Sequence, residues 1–292
     1  MSPTAVRGPR RPPVERIRDE LRDAAGAQLA AELPTGYQRL GHVLIVRWPE
    51  LLRPHFPTLV ESFRRALGVR VILRQVGPIE GELRTPAVER LLDGPTETEV
   101  REGGVWWQFD AARIMFSAGN HAERVRAGRL VQPGETVVDL FAGIGYFALP
   151  AAKIGRAARV VAVDRNPLSV RYLEENARRN GVAERVEVRW GDNRIVAIPP
   201  GTADRIFLGY LPSAVPWLDR AVPLLRPSGG WMHVHLIADA RDALEDGARA
   251  VTAGVEDSGG RPTEPARARV VKAFGPGRTH VVVDVRVVPG RA

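Results

Sequence analysis

The chain contains no cysteine. It therefore has no disulfide, no disulfide-linked partner, no thiol nucleophile and no cysteine-ligated zinc or iron–sulfur centre. Lysine is almost as scarce: Lys153 and Lys272 are the only two among 42 cationic side chains, and arginine supplies the rest. No apolar run approaches the roughly 20 residues that a membrane-crossing helix needs, so no membrane partner is expected. The opening segment has arginines and prolines but no hydrophobic stretch behind them. That argues against a secretory leader and predicts a mobile tail over residues 1–13. With neither leader nor span, the cytoplasm is the default location.

What is present suits a folded globular chain. The 292 residues are 44% hydrophobic and 26% charged, enough for one large domain or a large and a small one. The net charge of +8 is uneven. Up to Asp110 there are 16 cationic against 15 anionic side chains; beyond it there are 26 against 19. A basic second half suits RNA or another anionic partner, and equally suits a soluble basic enzyme with none.

The patterning divides the chain. A leading helix is predicted from Val14, with Ile17, Leu21, Leu29 and Leu33 on one face, ending at Pro34-Thr35-Gly36. Residues 14–112 read as a small α+β domain: a strand at 42–46, a helix at 57–67 and a strand at 69–76. A hairpin follows at 96–109 around Gly103-Gly104. Trp106 and Trp107 point to opposite faces of that hairpin, one for the core and one available as a platform. Residues 113–292 alternate strand and helix, with strands at 136–140, 159–163, 186–189, 205–208 and 231–236. This spacing predicts a doubly wound parallel sheet, finished by an antiparallel hairpin at 266–287.

Candidate site residues fall at the ends of those strands, where ligands of doubly wound sheets bind. Asp139 closes the first strand, followed by Phe141, Gly143 and Gly145 in a turn that leads into a helix from about Tyr146. Glycines there admit close approach of a ligand to the backbone, and the helix N-terminus offers unpaired N–H groups. Asp164 closes the second strand, where a carboxylate can hold both hydroxyls of an adenosine ribose. Asp192 and Asn193 follow the third and suit an adenine amino group. Tyr210, Pro212 and Ser213 follow the fourth. Each alone has a plain structural reading as a cap or turn; together they predict a nucleotide-like ligand. A dinucleotide is disfavoured because Ala148 stands where the third fingerprint glycine belongs, although alanine is tolerated there. His233 and His235 share one face of a strand, but two imidazoles without a third ligand make a poor metal site, and no metal is expected.

The run Met115-Phe116-Ser117-Ala118-Gly119-Asn120, followed by Glu123-Arg124, joins Asp139-Leu140-Phe141-Ala142-Gly143-Ile144-Gly145 and Gly209-Tyr210-Leu211-Pro212-Ser213. Upstream come Gly81-Glu82-Leu83-Arg84-Thr85-Pro86 and Thr96-Glu97-Thr98-Glu99. This ordered set resembles the group of S-adenosylmethionine-dependent transferases that contains tRNA guanine-37 N1-methyltransferases and tRNA wybutosine-synthesising aminocarboxypropyltransferases. The resemblance covers roughly residues 37–290. It implies a Rossmann-like methyltransferase fold preceded by a small α+β domain, S-adenosylmethionine as co-substrate, and tRNA as acceptor. It implies that Ser117 and Arg124 contact the cofactor, Arg124 at its carboxylate. Asp164 stands where the group usually has Glu, and Arg126 is expected on the solvated surface. The fourth-strand turn lacks the Asn of the methyltransferases and resembles the aminocarboxypropyl branch.

Other functions remain open at this point. The same transfer could run onto a small molecule, such as the phenol oxygen of a nocardicin-type β-lactam; the arginine-rich, lysine-poor composition, as in high-GC bacteria, and the near-neutral small domain favour that. A guanine-37 methyltransferase and a non-catalytic RNA-binding module are the further alternatives. The residues assign no general base.

Overall fold

The computed structural model describes residues 11–77, 81 and 83–290. The tail expected over 1–13 falls largely outside them, as does Glu82 of the Gly81–Pro86 motif. The chain forms two compact units. One comprises residues up to Val100 together with Phe109–Phe116; the other comprises Arg101–Gln108 and everything from Ser117 onward.

In the first unit the leading helix is broken. Gly26 takes φ +90°, which separates α1 (Pro13–Ala25) from α2 (Ala27–Ala31). Strands β1 (Gln38–Leu40) and β2 (Val43–Val46) form a hairpin, and α3 (Phe56–Leu67) crosses from β2 to the parallel strand β3 (Val71–Gln75). β4 (Val88–Leu92) adds an antiparallel edge. Val14, Ile17 and Leu21 of α1 pack with Phe63 of α3 and with Leu44, Val46 and Trp48, burying one face of each helix on the sheet. The strands β5 (Glu97–Glu102) and β6 (Val105–Asp110) meet at Gly103-Gly104, both with positive φ, as a two-residue hairpin requires.

The tip of that hairpin groups with the second unit. Trp107 is the core residue of the pair. Trp106 is no free platform: the guanidinium groups of Arg101 and Arg179 lie 5.4 and 5.3 Å from its ring. Two asparagines four apart fix β6 here. Asn176 accepts from Gln108 N, and Asn180 exchanges hydrogen bonds with both backbone groups of Trp106.

From there α4 (His121–Leu130) leads to β7 (Thr136–Asp139), α5 (Ala148–Lys153), β8 (Arg159–Asp164), α6 (Pro167–Arg179) and β9 (Val186–Trp190). Then come β10 (Arg205–Leu208), α7 (Leu218–Ala221), β11 (Gly230–Asp239), α8 (Ala243–Asp257) and β12 (Gly260–Pro262). The chain closes on β13 (Arg267–Gly275) and β14 (Arg278–Pro289). The sheet order is β12-β14-β11-β10-β7-β8-β9, with β13 paired to β14; β7 to β11 are parallel and the last three strands antiparallel. Strands buried on both faces read as continuous apolar runs, as Val137-Val138 and Ile206-Phe207-Leu208 do. From β7 the chain winds to β8 and β9 on one side and to β10 and β11 on the other. The switch point therefore lies between the carboxyl ends of β7 and β10.

Candidate active site

The turn after β7 is built around a buried carboxylate. Asp139 is fully buried, accepting from Phe141 N at 3.2 Å and Ala148 N at 3.1 Å. Loss of hydration, reinforced by the nearby charge of Asp164, pushes its pKa up to about 7. The expectation that the following helix offers its N-terminus to a ligand is corrected here. α5 begins at Ala148 and has six residues, and the group at its N-terminus is the protein's own carboxylate.

The glycines also have a different reason from the expected ligand approach. Gly143 has φ +54°, and a Cβ on it would lie 2.5 Å from the Tyr146 ring. Gly145 has φ +102°, and a Cβ would lie 2.4 Å from Leu149 Cγ and 2.7 Å from Leu173 Cδ1. Both positions demand glycine for backbone conformation and internal packing.

Asp164 lies at the end of β8, half-buried. One carboxylate oxygen accepts from Gly143 N at 2.7 Å and the other from Asn166 N at 2.9 Å. Burial raises its pKa. It thus locks the glycine turn while standing at the strand end where a ribose would lie. Asp192 accepts from Arg194 N at 2.9 Å, an Asx turn after β9. Asn193 is committed internally: its amide donates to Leu140 O at 2.7 Å and accepts from Trp217 Nε1 at 3.0 Å. It ties the β7 turn to the α7 region.

Across the switch point three half-buried aromatic rings converge. Phe141 stacks on Tyr210 at 5.1 Å and meets Trp217 edge-on at 5.1 Å, while Tyr210 and Trp217 lie 4.8 Å apart. Such rings make an apolar wall with a negative face, suited to an adenine or a sulfonium. Trp217 had no motif to announce it. Pro212, which follows a cis bond from Leu211, accepts from Ile237 N, and Ser213 Oγ accepts from Val215 N at 3.3 Å. The turn after β10 is thereby pinned to β11.

Ser117 and Arg124 are the remaining candidates. Arg124 is 1% exposed, and its guanidinium is held by Glu102, by Ser117 O at 2.9 Å and by the face of Trp107 at 5.5 Å. These contacts make Arg124 a support of Ser117. The cation that reaches Ser117 from the other side is Lys272, whose Nζ donates to Ser117 Oγ at 2.6 Å. A Cβ on Gly119 would lie 3.0 Å from Lys272 Cδ, so that glycine seats the lysine stem. Lys272 opposes His280, whose ring bonds His235, which stacks on Phe147 beside Gly209. A continuous path of side chains thus joins Ser117 to the switch point.

Arg126 is corrected too. It is not solvated but bridges Glu123 and Asp284, and Asp284 in turn bonds His233 at 2.6 Å. His233 and His235 belong to this buried polar layer. Among the described residues no group of three or more His, Asp or Glu is placed to hold a metal, and no helix is long and apolar enough to cross a membrane.

The open α/β sheet with a terminal antiparallel hairpin is a Rossmann-like methyltransferase fold, and with the relatives that follow, the class is that of S-adenosylmethionine-dependent transferases. The comparisons narrow the class. A family model described as the TRM5/TYW2 methyltransferase domain matches residues 98–256, and one described as the TYW2 N-terminal domain matches residues 17–96. The chain belongs to this family. A Pyrococcus horikoshii relative, a tRNA(Phe) (4-demethylwyosine(37)-C(7)) aminocarboxypropyltransferase, is 34% identical over 278 residues, 93% of this chain and 96% of that protein. The Arabidopsis thaliana tRNA wybutosine-synthesizing protein 2/3/4 is 34% identical over 94% of this chain, which spans 29% of that longer protein. The crystal structure of P. horikoshii TYW2 in complex with MeSAdo superposes with a TM-score of 0.80 at 30% identity, covering 94% of this chain and 99% of the other.

Proposed function

We propose that the chain transfers the 3-amino-3-carboxypropyl group of S-adenosylmethionine to a tRNA base of the wybutosine type and releases methylthioadenosine. The observation that carries this reading is the 34% identity to an aminocarboxypropyltransferase across nearly the whole of both chains. The turn Gly209–Ser213 supports it, since it carries Tyr210 and no asparagine. The family match gives S-adenosylmethionine as the co-substrate, with tRNA the acceptor of its relatives. The small unit and residues 113–292 then divide the work as an N-terminal domain and a catalytic domain. The cytoplasm, where tRNA is modified, is the compartment this reading implies.

The sulfonium activates three carbons, and the one that faces the nucleophile in line is transferred. Here the acceptor atom forms a bond to the γ-carbon of the methionyl chain. The carbon–sulfur bond breaks with its electron pair going to sulfur, which leaves as a neutral thioether, and the acceptor loses a proton to solvent or base. The protein's part is positioning. Asp164 takes the ribose hydroxyls and Asp192 the adenine edge. Phe141, Tyr210 and Trp217 wall the sulfonium away from water. Ser117 and Lys272 receive the carboxylate, the end of the group that must be turned toward the acceptor.

The test is to incubate the protein with S-adenosylmethionine labelled on the carboxyl carbon and a tRNA acceptor. Label in the RNA with methylthioadenosine as by-product is expected. Adenosylhomocysteine would instead make it a methyltransferase. Transfer to a phenolic small molecule but not to tRNA would move it to specialised metabolism, and salt-sensitive RNA binding without turnover would make it a binding module.

A further inference from the structure

The terminal hairpin carries more cations than the one assigned to the cofactor. Residues 265–283 carry four cationic side chains, Arg267, Arg269, Lys272 and Arg278, and no carboxylate. Residues directly opposed across an antiparallel pair share a face. Arg267 opposes Asp284, Arg269 opposes Val282 and Lys272 opposes His280. Asp284, Val282, His280 and Arg278 alternate along β14, so all four cations lie on one face. In a regular strand Lys272 would point opposite to Arg269, three positions away. The register shift between Val270 and Lys272 restores it to the same side.

Of the acids near this row among the described residues, Asp239 opposite Arg278 bonds Arg241, and only Glu264 bridges a member of the row. Asp284 is held by Arg126 and His233, Glu123 by Arg126, and Glu264 makes an exposed bridge to Arg267. Arg267, Arg269 and Arg278 are exposed, and Val270 and Phe274 beside them are 55% and 52% exposed. Within the row, between Arg269 and Arg278, Lys272 meets Ser117 of the candidate site. Cations on an edge strand also discourage edge-to-edge pairing. That purpose needs charge, but it does not need a bulge that gathers the charges on one face.

We propose that Arg267, Arg269 and Arg278 form the surface that receives the phosphate backbone of the acceptor RNA and leads it toward the cofactor pocket. This rests on the reading of tRNA as the acceptor. The test uses the full chain and a tRNA transcript, with affinity measured across a salt series. The wild-type affinity is expected to fall linearly in log–log form with salt. Replacing Arg267 and Arg269 together by alanine is expected to weaken binding roughly tenfold or more and to make the slope shallower by about one to two. Affinity for S-adenosylmethionine is expected to stay unchanged. Arg249→Ala, an exposed position on α8, serves as the control and should change neither quantity. Wild-type affinity and slope in the double variant would overturn the proposal, as would an equal loss in the control. If the wild type itself shows no salt-dependent tRNA binding, the acceptor reading falls, and this surface with it.

Discussion

Lys272 Nζ lies 2.6 Å from Ser117 Oγ, a contact between residues 155 positions apart in the sequence. It places an ammonium on the hydroxyl that the family motif assigns to the cofactor, and it does so with one of only two lysines in the chain. An ammonium is a compact charge with three donors, so it can hold Ser117 and a carboxylate oxygen at once. If this is the carboxylate end of the pocket, Lys272→Met should weaken S-adenosylmethionine binding by about ten- to a hundredfold, the range for a charged hydrogen bond. Affinity for methylthioadenosine, which has no carboxylate, should not change. Calorimetry with both ligands checks this, and an equal loss for the two would assign Lys272 a structural role only.

Asp164 should behave differently. Its carboxylate, proposed for the ribose, also fastens Gly143 N. Asp164→Ala is expected to weaken S-adenosylmethionine and methylthioadenosine alike, by roughly ten- to a hundredfold, because both carry the ribose. A variant that discriminates between the two ligands would remove Asp164 from the ribose.

Gly145 carries the packing of the turn. A Cβ there would overlap Leu149 and Leu173 in a conformation, φ +102°, that other residues rarely adopt. Overpacking and backbone strain each cost about 1–3 kcal/mol. Gly145→Ala should therefore lower the melting temperature by several degrees, seen by calorimetric scanning. Gly104→Ala also lies at a positive φ but meets nothing within 4 Å, and should cost less. Equal losses would show that strain alone matters.

These positions show what the sequence could carry. The parallel strands β7 and β8 were legible because burial writes them as runs of valine. α8 was not: its inward stripe is Ala243, Gly247, Val251 and Val255, small residues that pack Gly247 close to Val281 without a strong apolar signal. β4 was missed for the opposite reason, since its residues are half-buried or exposed and carry charge. In the site, the strand-end residues Asp139, Asp164 and Tyr210 were legible from local motifs. The partners of Arg124 and Arg126 were not, because Glu102 and Asp284 come from elsewhere in the chain. Lys272 and Trp217 had no local pattern, and only the fold places them.

The paired imidazoles give the molecule a pH dependence of definite sign. His235 Nδ1 and His280 Nε2 lie 2.9 Å apart, both side chains buried, with His235 Nε2 and His280 Nδ1 lacking hydrogen-bond partners among the described residues. Burial, then the neighbouring charge of Lys272, lowers the pKa of His280 to about 4, and burial with its charged neighbours lowers that of His235 well below its ordinary value. In the unfolded chain both titrate near 6.5. The unfolded state therefore binds protons first as pH falls. The stability these imidazoles contribute is present above about pH 6.5 and is lost as pH falls toward 4. For His280 alone this amounts to about 3 kcal/mol. Asp139 acts in the opposite direction: its folded pKa is raised, so its contribution is present below about pH 4 and is lost as pH rises through 7. A difference measurement cancels that term. Replacing His235 and His280 together by leucine removes both partners and leaves no orphaned nitrogen, so at pH 7.5 the variant should lie within about 2 kcal/mol of wild type. Between pH 7.5 and 5 the wild type should lose stability relative to the variant, measured as the gap between their denaturation midpoints. A gap that stays constant over that range would show that the pair does not titrate with folding.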